Sequence, residues 1–230
     1  MIRKRATPMR TGVHLRGVVS QRDPRYEPRS IQASARPIAS SVKPWQRIVG
    51  RGSDGDSRGA FDDLRKSLGV EFESDPASPL LVRASLEALL AAFATRAQHR
   101  RDALGLIAFE LEDWKGLEER AGAPAFRTAF ADLARELRLR VRASDEIGRL
   151  GEAQIAAILP GCELQALGSV SERLSLALEA HEFSLGAQPM RASIATAWIA
   201  VAPGPPSVAP GHLLEQLSSA LEQARASSPG

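Results

Sequence analysis

Two side chains three residues apart, Arg142 and Asp145, are the pair in this chain best suited to holding a nucleotide. A guanidinium fork matches phosphate oxygens or the N7/O6 edge of guanine, and a carboxylate accepts hydrogen bonds from guanine's ring N–H and exocyclic amine. The same two residues also fit a purely structural reading, a basic residue at a helix end followed by a turn aspartate. A second group is Glu110, Glu112 and Asp113, which close an apolar run and carry the oxygen ligands a hard cation such as Mg²⁺ prefers. They would need a further carboxylate from elsewhere, and acids that merely end a strand in solvent give the same pattern. The four histidines, His14, His99, His181 and His212, have no zinc spacing, and the single cysteine, Cys162, has no histidine beside it. Neither a phosphate-binding loop, a dinucleotide glycine fingerprint nor a Gly-x-Ser-x-Gly elbow occurs.

The elements that must position these residues follow from apolar spacing and turn chemistry. Arg142 and Asp145 precede a hairpin: Ile147 to Leu150 is a short apolar run, Gly151-Glu152 marks the turn, and Ile155 to Leu159 is a buried run closed by Pro160-Gly161. Upstream, Ser78 and Pro79 predict a helix start, with Leu81, Leu86, Leu89, Leu90 and Phe93 at helical spacing to about Arg101. Ala103 to Phe109 reads as a central strand. Phe126, Phe130, Leu133, Leu137 and Val141 predict a helix after Pro124, and Leu164, Leu167, Val170, Leu174 and Leu178 one from Glu163 to Ala180. Met190 to Val201 reads as a strand of imperfect alternation, Ala202 to Pro210 as a loop, and His212 to Arg225 as a last amphipathic helix. Helices interleaved with strands in this order predict an α/β or α+β domain of about 160 residues.

Charge is unevenly divided. Residues 1–60 hold 13 Lys or Arg against 4 Asp or Glu, whereas the remaining 170 hold 17 against 23. The first 60 residues lack a sustained apolar period, which predicts a disordered basic tail and linker; Phe61, Leu64 and Leu68 begin a short helical lead-in spanning 61–74. The arginines of the tail suit an anionic partner, but a solvated tail is the simpler reading, so nucleic acid is not an expected partner. One cysteine, no signal-peptide core and no apolar run near the ~20 residues of a membrane span together predict a cytoplasmic protein.

Read together, the segments resemble the GGDEF domain of bacterial diguanylate cyclases over residues 75–226. Asp75-Pro-Ala-Ser-Pro-Leu-Leu-Val-Arg83 is similar to that family's opening DPLTGLLNR, Phe109 to Glu119 to its LDLDDFKxIND, and Arg149 to Pro160 to its RLGGDEFAVLLP. Glu172-Arg173 matches a helical ER, and Ala220 to Arg225 faintly matches ALYxAK. The resemblance implies an α/β (α+β sandwich) fold, a central mostly antiparallel sheet flanked by helices.

It also implies which chemistry is lost. The family condenses two GTP into cyclic di-GMP with metal ions, and its signature turn is here Gly151, Glu152, Ala153, Gln154 and Ile155. Ala153 replaces the metal-binding acid of that turn, and Glu110 stands for the aspartate after the first strand. The guanine-reading asparagine is Glu118, and Ala123 and Arg127 replace the histidine and aspartate of a GHxxGD segment. Lys115 remains on the substrate side, and Arg225 stands where a phosphate-contacting lysine would be. Metal-assisted phosphoryl transfer depends on placed cations and electrostatics, so these departures predict a domain with no catalytic residues, no bound metal and no cofactor. A second family site survives in register: the RxxD inhibitory motif as Arg142 and Asp145, with Arg173 as its further arginine. The implied function is a non-catalytic cyclic di-GMP receptor signalling through an unidentified protein partner, with homodimerisation open to it. The alternatives are a ligand-free interaction or dimerisation module, residual nucleotide activity resting on Glu110, Glu112 and Lys115, and nucleic-acid binding by residues 1–60.

Overall fold

The computed structural model describes residues 72–201 and 210–227. The expected disordered tail, the lead-in helix over Phe61 to Leu68 and most of the loop after Ala202 lie outside the described residues. The centre of the fold is β1 (Leu104–Leu111), an eight-residue strand buried at every position. Such a strand reads as a continuous apolar run because both of its faces are covered. β1 pairs antiparallel on one side with β3 (Gln154–Pro160) and on the other with β6 (Ile194–Val201). β2 (Glu146–Arg149) adds antiparallel to β3, giving the order β2-β3-β1-β6. The antiparallel sheet flanked by helices is therefore the fold that the sequence predicts.

Period-two alternation along β1 sends Ile107, Phe109 and Leu111 to one face. There they join a core with Phe126, Phe130, Leu133 and Leu137 of α3 (Ala123–Arg140) and Leu167, Leu174 and Leu178 of α4 (Leu164–Ala180). On the other face α1 (Arg83–Arg100) and α5 (Pro210–Ser227) pack together and against the sheet. Leu86, Leu89, Leu90 and Phe93 of α1 and Leu213, Leu214, Leu217 and Leu221 of α5 are all buried.

Four expectations need correction. The first helix starts at Arg83 rather than at Pro79, and Phe72 to Ser74 are not helical. The backbone of Leu81 is taken up by the sheet edge: its N–H donates to the Ile147 carbonyl (3.0 Å) and its carbonyl accepts the Arg149 N–H (2.8 Å). A residue bridged in this way cannot also begin a helix. Secondly, an extra helix, α2 (Trp114–Ala121), precedes α3, separated from it by Gly122 at φ 83°. Thirdly, the strand expected from Met190 is two elements. β5 (Gln188–Arg191) pairs with β4 (Glu182–Leu185) in a separate ribbon, and β6 begins only after the break at Ala192-Ser193. The imperfect alternation of that stretch is this break. Finally, Leu164 is exposed, and Ser171 and Ser175 share the inner face of α4 with its leucines.

Gly148 shows how tightly the opening segment lies on β2. A Cβ there would come within 2.8 Å of Leu86 Cδ1 and 3.1 Å of the Leu81 carbonyl oxygen. By contrast, a Cβ at Gly168, in α4, would meet only Trp198 at an ordinary 3.7 Å. Gly148→Ala should therefore destabilise the fold by about 1–3 kcal/mol through overpacking. Gly168→Ala should be neutral or stabilising by up to about 1 kcal/mol, because it removes a flexible residue from a helix. Urea denaturation of the two variants measures both, and equal effects would contradict this account of the packing.

Candidate functional site

Arg142 to Asp145 form a tight corner between the end of α3 and the start of β2. The Asp145 N–H donates to the Arg142 carbonyl (3.2 Å), while the Asp145 carboxylate accepts the Arg142 N–H (2.9 Å). The turn is thus closed in both directions, once by main chain and once by side chain. This leaves Asp145 only 4% exposed, whereas Arg142 is an exposed residue. Burial pushes the Asp145 carboxyl above the usual range, against the Arg142 N–H and the charges of Arg142 and Arg138, which favour the ionised form. Cys162, next to the start of α4, is buried close enough for the Asp145 charge to add to the burial that raises its thiol.

Arg173 lies nine residues into α4 and is exposed. At the helical rise this is about 14 Å along the axis from the helix start. It makes no hydrogen bond or ion pair with Arg142 or Asp145.

The signature turn is organised around Glu110 instead. Register places Glu110 opposite Gln154, and the Gln154 Nε2 donates to Glu110 Oε2 (3.2 Å). From α5, Arg225 Nη1 donates to Glu110 Oε1 (3.2 Å). A carboxylate 2% exposed thereby has an amide on one oxygen and a guanidinium on the other. Gln154 also folds over the turn, its Oε1 lying 2.6 Å from where a Cβ at Gly151 would stand. Ala153 is buried, and its carbonyl accepts the Leu111 N–H. Glu152 is exposed, and Ile155 belongs to the core. Arg225, whose side chain stays more than half exposed, is therefore also the counter-charge of the buried Glu110.

The metal that the fold family uses does not fit this donor set. Both Glu110 oxygens already accept hydrogen bonds, and no acid stands at Ala153 or Gln154. Glu112 and Asp113 do not converge on it. Asp113 adopts φ 50° and pairs with Arg120 (3.4 Å). Glu112 lies near Glu179, whose carboxyl is raised first by burial, with the Glu112 charge adding to it. No cluster of three potential metal ligands occurs among the described residues. Lys115 is exposed, with its ammonium 5.5 Å from the Trp114 ring centroid.

Sequence reasoning missed three arginines. Arg149 donates to Asp75 (2.7 Å) and to the Glu152 carbonyl (3.0 Å) while lying 4.8 Å over the Phe130 ring. Arg83 donates to the Leu150 carbonyl (2.7 Å), and Arg138 donates to the carbonyls of Asp145 (2.7 Å) and Arg142. The first two tie the opening segment to the signature turn, and the third braces the corner. The partners of Arg149 and Arg83 lie 74 and 67 residues away, beyond any local pattern.

Two outcomes test this electrostatic picture. Arg225→Met should cost about 1–3 kcal/mol by leaving a buried carboxylate short of a donor, and adding Glu110→Gln should recover part of the loss. Additive losses in denaturant titrations would contradict the pairing. Asp145→Asn keeps an acceptor for the Arg142 N–H without the buried charge. Because the folded-state pKa is raised, the wild-type advantage from the protonated acid is present at low pH and is lost as pH rises through the folded value. The variant should therefore gain stability relative to wild type as pH rises through the acid range, and then hold a constant lead. A lead that shrinks with rising pH would contradict this sign.

A family model described as "Diguanylate cyclase, GGDEF domain" matches residues 73–229. No curated protein matches the chain. Among solved structures, the chain is similar to the GGDEF domain of FimX from Pseudomonas aeruginosa, at 19% identity and TM-score 0.62, covering 69% of this chain and 97% of that one. It is also similar to the diguanylate cyclase SiaD of the same organism, solved with its activator SiaC, at 21% identity and TM-score 0.63, covering 80% and 69%. The GGDEF domain of DgcB from Caulobacter crescentus, solved in complex with c-di-GMP, is similar at 13% identity and TM-score 0.60, covering 69% and 95%. At such identities the likeness speaks for the fold alone, whereas the family model spans more than half of the chain and carries the assignment. The chain belongs to the GGDEF family.

Proposed function

We propose that this domain is a non-catalytic GGDEF member that acts as a cyclic di-GMP receptor in the cytoplasm. It takes the dinucleotide at Arg142, Asp145 and Arg173 and passes the signal on through contacts with a protein partner. The observation that carries the reading is the Arg225–Glu110–Gln154 arrangement. A carboxylate held by a guanidinium and an amide is a poor ligand for Mg²⁺, and phosphoryl transfer without a placed cation loses its main source of charge stabilisation. Arg142 and Arg173 are, by contrast, exposed. Asp145, buried in the corner with its charge disfavoured, fits a functional-site residue. No described helix is long and apolar enough to cross a membrane.

One observation favours a second reading, a ligand-free interaction or dimerisation module. The Asp145 carboxylate already accepts the Arg142 N–H, so part of its hydrogen-bonding capacity belongs to the corner. Isothermal titration of the full chain with cyclic di-GMP separates the two. The receptor reading expects saturable binding that Arg142→Ala and Arg173→Ala each weaken by about 10–100-fold, the worth of a charged hydrogen bond. Absence of heat with the wild-type chain favours the module. Chromatography after incubation with GTP and Mg²⁺ or Mn²⁺ should show no cyclic di-GMP; product formation would overturn the non-catalytic assignment.

A further inference from the structure

We infer that Arg138 is the positioning residue of the RxxD corner, fixing the loop from which Arg142 and Asp145 act on an anionic dinucleotide. This rests on the receptor reading above. Arg138 sits in the last turn of α3, where a basic side chain can satisfy carbonyls beyond the helix end. Its guanidinium donates through Nη1 to the Asp145 carbonyl (2.7 Å) and through Nη2 to the Arg142 carbonyl. These carbonyls belong to the first and last residues of the four-residue turn. The same two residues are joined by the Asp145 N–H to Arg142 carbonyl bond and by the Arg142 N–H to Asp145 carboxylate bond. Arg138 is the only one of these partners that reaches the turn from a regular element, and so it references the corner to the rigid helix.

Two consequences follow for a ligand. The Arg142 guanidinium leaves from a backbone already held in place, which lowers the ordering loss on binding. The Arg138 charge also acts on Asp145, favouring its ionised form against the burial that raises it. Lysine would keep that charge but has no planar fork to hold two carbonyls at once. Arg138→Lys therefore separates geometry from charge. Arg135, one turn earlier, pairs with Asp132 (3.5 Å) and reaches the Ala77 carbonyl (3.4 Å), so Arg135→Lys perturbs the same helix without touching the corner.

The test uses the full chain and reads cyclic di-GMP affinity by calorimetry, thermal midpoint, and amide hydrogen exchange at Arg142 and Asp145. Arg138→Lys should weaken the dinucleotide about tenfold, since part of the preorganisation is lost. It should also speed exchange at the two corner amides, while its midpoint stays close to that of Arg135→Lys. Arg135→Lys should bind and exchange at the corner like wild type. Wild-type affinity or unchanged corner exchange in Arg138→Lys overturns the positioning role. If the wild-type chain takes up no cyclic di-GMP, the receptor reading fails on its own. The exchange arm then decides the role of Arg138: faster exchange confined to the corner upholds it, and unchanged exchange overturns it.

Discussion

β1 is buried along its whole length, and one of its eight residues is a glutamate. A carboxylate in that position must find donors inside the fold or be neutralised, because the desolvation of an unpaired charge exceeds the stability of most domains. The structure meets this with Gln154 from the neighbouring strand and Arg225 from the C-terminal helix. Much else follows from that constraint. The signature turn is covered by the Gln154 side chain, and α5 is tied to the sheet end by its last turn.

The second buried carboxylate, Asp145, is satisfied differently. Its partners are a backbone N–H and a serine hydroxyl at 3.4 Å, with the nearest guanidinium charges acting only at longer range. Glu110 thus belongs to an ion pair that holds helix to sheet, whereas Asp145 closes the turn between α3 and β2.

Arginine does much of the long-range fastening here. Arg83, Arg138 and Arg149 all donate to backbone carbonyls of the corner or of the hairpin, and Arg149 adds an aspartate and an aromatic face. A planar guanidinium suits this because it serves two acceptors at once while its stem and face pack on apolar surface. Arg83 and Arg149 thereby couple the opening segment to the hairpin turn, while Arg138 holds the corner to α3. In the single sequence they are three separate motifs.

How much was legible in the sequence depended on whether the cause was local. The β1 run, the periodicity of α3 and α4, and the hairpin turn at Gly151 all follow from alternation, helical spacing and turn residues within a few positions. The family was equally readable, since it is a matter of residue types at a spacing, and its model matches residues 73–229. The start of α1 was not, because Leu81 is drawn out of a helix by its bridge to Gly148 of β2, sixty-seven residues later. Nor was the single-strand reading of 190–201 sustained, since Met190 pairs back to Phe183 in its own ribbon. The tertiary structure alone decided that Arg225 is the partner of Glu110 and that Arg138 holds the corner. Those contacts depend on where α5 and α3 come to rest against the sheet. Packing of distant elements sets that placement, and it leaves no periodic trace in the residues that make the contacts.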